Sequence, residues 1–146
     1  MNPYVVIDIG GTSIKYGLAD AEGQLIETHE MPTEAQKGGP HILNTTKEIV
    51  ARYLKKHPLA GVAISSAGMV DPDKGEIFYA GPQIPNYAGT QFKKEIEEAF
   101  QLPCEIENDV NCAGLAEVTT GHAIGSNNAV CLTIGTGIGG GAIVEG

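Results

Sequence analysis

At 146 residues with 42% hydrophobic and 18% charged positions, the chain reads as a soluble globular domain long enough for one real core. A net charge of -9 excludes the basic face that a nucleic-acid backbone requires, and no apolar run approaches the ~18 residues of a membrane span. Three cysteines (Cys104, Cys112 and Cys131) with no C-x-x-C spacing argue against a disulfide framework or a zinc site, and with no signal-peptide pattern they point to a reducing cytoplasm.

In chain order, residues 3–9, 14–19 and 24–29 read as strands joined by turns at Gly10-Gly11 and at Asp20 to Gly23. A helix is expected over 41–57, with Ile42, Thr46, Ile49, Val50, Tyr53 and Leu54 on one face and Pro58 beyond its end. "LAGVAISS", 59–66, is a continuous apolar run, as in a strand covered on both faces. Residues 67–89 are rich in glycine and proline and read as a long functional loop with one short strand at 76–79. Phe92, Ile96, Ala99 and Phe100 give a second helical stripe, "PCEIE" at 103–107 a strand, and 109–122 a third helix. The end, "NAVCLTIGTGIGGGAIVEG", reads as strand, glycine turn, strand. A meander followed by alternation with helices indicates an α/β domain with a mixed sheet.

The two ends echo one another. "VVIDIGGTSIKYGLAD" and "VCLTIGTGIGGGAIVEG" are each a β-branched strand, a Gly-Thr turn and a second strand, so residues 1–125 read as one lobe and 126–146 as the opening hairpin of another.

In the first copy, Gly10 and Gly11 can direct several N–H groups at one anion, Thr12 adds a hydroxyl, and Lys15 adds a charge if its side chain turns inward. Asp8 would repel a bare phosphate but suits a Mg²⁺ ion held directly or through water. The plain alternative is a tight hairpin with an exposed acid. In the second copy, residues 135–141 hold five glycines and one threonine, more than a hairpin needs. That excess nominates Gly135, Thr136, Gly137, Gly139 and Gly140 as phosphate contacts, the two turns gripping one polyphosphate from two sides.

"DIGGT", "ENDVNCAGLAE" at 107–117 and "GTGIGGG", in that order and spacing, resemble the ROK family of sugar kinases and repressors. The resemblance covers essentially the whole chain and implies an actin-like ATPase (ribonuclease H-like) lobe, with a mixed five-stranded sheet flanked by helices. It implies ATP and Mg²⁺ as cofactors and a small-molecule sugar as substrate, and admits a homodimer of the complete protein; the acidic charge and the lack of an apolar span argue against nucleic acid or membrane as partner. It also makes Asp109 the base that takes a proton from a sugar hydroxyl attacking the γ-phosphorus, and Asn108 a sugar ligand. Read without the family, Asn108 and Asp109 lie between a strand end and a helix start, where both are favoured N-caps.

The resemblance places two further segments at the sugar. One is "SSAGMVD", 65–71, with Ser66 and with Gly68 giving backbone access. The other is "IPNYAG", 84–89, with Asn86, beside a Tyr87 that stands where relatives often carry tryptophan. Both segments could equally form an ordered Ω-loop. The family's glutamate–histidine sugar motif and cysteine-rich zinc motif are not found, and His29, His41, His57 and His122 match none of those positions. The chain therefore reads as the N-terminal part of a longer protein, inactive by itself, with zinc expected only from the remainder. Glucose, a β-glucoside, fructose and the N-acetylhexosamines all stay open as substrates. A sugar-sensing ROK repressor is the alternative, disfavoured by the acidic charge and by a first strand that leaves no room for a winged helix-turn-helix. A chaperone-like ATPase would not need the Asn108–Asp109 pair.

Overall fold

The computed structural model describes residues 1–134 and 138–145. In chain order the strands are β1 (Tyr4–Ile9), β2 (Ser13–Ala19), β3 (Leu25–Pro32), β4 (Gly61–Ser66), β5 (Met69–Asp71), β6 (Glu76–Tyr79), β7 (Cys104–Asn108), β8 (Ala129–Ile134) and β9 (Ile138–Ile143). The helices are α1 (Gly39–Leu54), α2 (Phe92–Phe100) and α3 (Asp109–Thr119), with a short 3₁₀ turn at Ala35–Lys37.

Alternation in β1 puts Val5, Ile7 and Ile9 into the core and Tyr4, Val6 and Asp8 on the other face. β1 pairs antiparallel with β2 and parallel with β4, and the five-stranded sheet runs β3-β2-β1-β4-β7, which is the mixed sheet expected. A parallel pair cannot close through a tight turn, so β2, β3 and α1 intervene. Ile42, Ile49, Val50 and Tyr53 of α1, with Phe92 and Ile96 of α2, pack on Val5, Ile7, Ile9, Ile14, Val62 and Ile64 in one cluster.

Four element expectations need correction. Gly39-Pro40 opens α1 earlier than expected, because proline at the first turn lacks only an N–H that would have no helical partner. β4 is covered on one face, not both. Val62 and Ile64 are buried while Ala63 between them is exposed, so its apolar run reflects small residues rather than two covering layers. The strand at 76–79 has an antiparallel partner in β5, three residues long and too short to show a period. The third helix ends at Thr119, short of the expected 122.

The chain divides into two compact units, Met1–Glu107 and Asn108–Gly146. Within the second, α3 packs on the antiparallel β8–β9 hairpin. Helix and hairpin therefore form one unit, whereas the lobe boundary read from the sequence falls near residue 125. All three cysteines are free, and burial pushes the Cys104 thiol up to about 12, so it is not poised as a nucleophile.

Where β2 crosses β3, a Cβ added at Gly17 would overlap the Glu27 carbonyl, whereas one at Gly11 would meet nothing within 4 Å. Gly17→Ala should therefore cost about 1–3 kcal/mol or more in a urea melt, because the obstruction is backbone. Gly11→Ala should change stability by no more than about 0.5 kcal/mol.

Candidate functional site

The hairpin turn at Gly10–Thr12 is tight: the Gly10 N–H donates to the Ser13 carbonyl at 2.9 Å. Its geometry is set from outside the turn. Thr33, fully buried, donates its hydroxyl to the Gly10 carbonyl at 2.7 Å and its N–H to the Thr12 carbonyl at 2.9 Å. Both carbonyls are thus engaged by Thr33, and a concave turn whose carbonyls are held elsewhere is what an anion site needs. The open space beside Gly11 leaves room for close approach. Sequence reasoning missed Thr33, because a lone threonine after a strand carries no pattern of its own.

Asp8 lies opposite Lys15 on β2 and Ser65 on β4, so the three share one face of the sheet. The Ser65 hydroxyl donates to Asp8 Oδ1 at 2.9 Å, which holds the carboxylate by one oxygen. Among the described residues no group of three or more His, Cys, Asp or Glu could cage a metal. A single exposed carboxylate does fit Mg²⁺, which keeps most of its waters and takes remaining oxygens from phosphates.

Ser66 is placed differently from the sequence reading. It is fully buried, its hydroxyl 2.5 Å from the Tyr87 hydroxyl and donating to the Ala67 carbonyl at 2.8 Å. It pins the 80–90 loop onto the end of β4 instead of facing solvent. Tyr87, itself 1% exposed, meets Phe92 edge-on at 6.0 Å. Gly68 has φ +89°, a left-handed backbone that other residues rarely adopt, and so needs its glycine for conformation. Asn86, exposed and also left-handed at φ +54°, borders a cavity of about 300 Å³ with Thr90, Gln91 and Glu95.

In the second unit, Asn108 is the N-cap of α3. Its Oδ1 accepts the N–H groups of Val110 at 3.0 Å and Asn111 at 3.2 Å. Asp109, in the first turn, accepts the Val110 N–H at 2.9 Å through its own Oδ1. Asn108 is therefore the N-cap, and Asp109 shares the Val110 amide with it. The glycines of β9 also have a packing reason: a Cβ at Gly139 would overlap the Val110 side chain of α3. Gly140 lies exposed on the opposite face. Gly135, Thr136 and Gly137 lie outside the described residues.

A mixed sheet, a braced glycine turn and an acid at the end of its first strand define the N-terminal lobe of an actin-like ATPase. A family model for the ROK family matches residues 4–146, and the chain belongs to that family. It is 33% identical over 150 residues to a glucokinase of Halalkalibacterium halodurans, covering 98% of this chain and 44% of that protein. It is 39% identical over 134 residues to a β-glucoside kinase of Klebsiella pneumoniae, covering 91% of this chain and 43% of that one. A ROK glucokinase from Streptomyces griseus, solved with glucose and AMPPNP, superposes with a TM-score of 0.84 at 32% identity, covering 98% of this chain and 45% of that structure. The chain thus spans less than half the length of these relatives.

Thr33→Val should leave the Gly10 carbonyl without its buried donor and cost about 1–3 kcal/mol in thermal melts. Asn108→Ala should destabilise α3 by about 0.5–2 kcal/mol, whereas Asn108→Asp, which keeps a capping oxygen, should not. Hydrogen exchange in α3 separates the two.

Proposed function

We propose that the protein carrying this chain transfers the γ-phosphoryl group of ATP to a hydroxyl of a hexose or hexose-like sugar, in the cytoplasm. The observation that carries this reading is the division of labour at the start of α3. Asn108 caps the helix through two amides, and an acid, Asp109, occupies its first position beside that cap. Membership of a family whose relatives include a glucokinase and a β-glucoside kinase supports the choice of sugar as acceptor.

Asp109 takes the proton of the attacking hydroxyl while its oxygen bonds to the γ-phosphorus, and the bond to the β-phosphate oxygen breaks to release ADP. Such a transfer asks chiefly for alignment and for neutralisation of charge. The Gly10–Thr12 amides, the Thr12 hydroxyl and Lys15 would meet the phosphates of the nucleotide. Mg²⁺ bound with the nucleotide would spread the phosphate charge, and Asp8 is the residue to hold it through water. Asn108 would meet a sugar oxygen from the same helix start. Gly68 and Asn86 would approach the sugar by backbone and side chain, with Ser66 setting the loop behind them.

The test is kinetic. In the full-length protein, Asp109→Asn should lower turnover by about 10²–10⁴ with an unchanged melting temperature. Near-normal turnover with normal melting would end the assignment. Asp8→Asn should raise the Mg²⁺ concentration needed for half-maximal rate while leaving sugar affinity without nucleotide unchanged. A wild-type Mg²⁺ titration would reduce Asp8 to a turn residue.

A further inference from the structure

A second cavity in the Met1–Glu107 unit, about 200 Å³, has no part in the reading above. Its walls are Tyr16 of β2, Glu27 and His29 of β3, and the stretch of α1 that carries Ile49, Arg52 and Tyr53, with Lys56 just beyond. It exceeds the ~150 Å³ that encloses a benzene ring in an engineered protein cavity.

Tyr53 is only 8% exposed, and its hydroxyl is buried with no hydrogen-bond partner among the described residues. An unmet buried hydroxyl is destabilising, and phenylalanine would fill the same space without that cost. Burial, and then the charge of Glu27, raises the phenol's pKa, so it stays a protonated donor at neutral pH. The Tyr16 ring lies 5.5 Å from the His29 ring at 32° and 6.4 Å from the Tyr53 ring at 71°, which gives the cavity flat apolar walls beside Ile49.

Charge supplies the remaining constraint. The whole chain has nine lysines and arginines against eighteen acids, yet Arg52 and Lys56 both border this one cavity. The one carboxylate there, Glu27, is engaged by His29 Nε2 at 2.9 Å. An apolar, ring-walled space with a buried donor and two cations at its rim matches a ligand of complementary build. We propose that this cavity binds a small organic anion, a phosphate or carboxylate on a ring-sized apolar body, with Arg52 and Lys56 taking the charge and the Tyr53 hydroxyl donating to it.

Phenyl phosphate and benzoate serve as probes, with phenol as the uncharged control, in amide NMR titrations of the protein. Saturable shifts are expected at Tyr16, His29 and Tyr53 and not at Gly10–Thr12, at lower concentration for at least one anion than for phenol. The anion that saturates first identifies the head group. Arg52→Met and Lys56→Gln should each weaken binding about tenfold. Tyr53→Phe should weaken it several-fold while leaving the melting temperature without ligand equal or higher. Phenol binding as tightly as both anions, shifts confined to Gly10–Thr12, or variants that bind like wild type would each overturn the proposal. So would a loss of stability in Tyr53→Phe, which would show that the hydroxyl already has an internal role.

Discussion

The parallel pairing of β1 with β4 is the constraint on which the larger unit depends. With Val5, Ile7 and Ile9 buried on one face, a slip of one residue would turn all three to the other side, so the register is fixed by the core itself. That same register sets Asp8 against Ser65 on one side and Lys15 on the other. The acid at the end of the strand thus owes its position to apolar residues that never meet a ligand. A parallel neighbour also requires a crossover, and the crossover contributes α1, whose apolar stripe closes the core. The chain's first hundred residues are organised around that single pairing.

What could be read from sequence follows from period and local chemistry. β1, β2, α1 and α2 declare themselves through apolar spacing, and Gly10-Gly11 between two such strands is a turn whatever its purpose. Contacts between residues distant in sequence gave no such signal. Thr33 braces the turn across 23 positions. Ser66 reaches Tyr87 across 21 positions and anchors the loop there. Serine at a strand end has the same local pattern in either role, so only the tertiary partner distinguishes them.

The glycines of residues 135–141 carry a related lesson. Their number suggested a backbone wrapped around a ligand, yet α3 packs so closely on the hairpin that Gly139 has no room for a Cβ against Val110. Close helix packing and close ligand approach select the same residue type for the same reason, the absence of a side chain. Composition alone cannot separate them. Gly140, facing away from α3, is the better nominee of the two for a phosphate contact.

The start of α3 shows how one structural device can serve a chemical one. The Asn108 cap satisfies two amides at the helix N-terminus and so fixes the backbone from which Asp109 projects. In phosphoryl transfer the attacking hydroxyl gives up its proton to a group that mainly orients it, so direction matters more than basicity. In the phosphoryl-transfer reading proposed above, a capped helix with an acid at its first position would supply that direction.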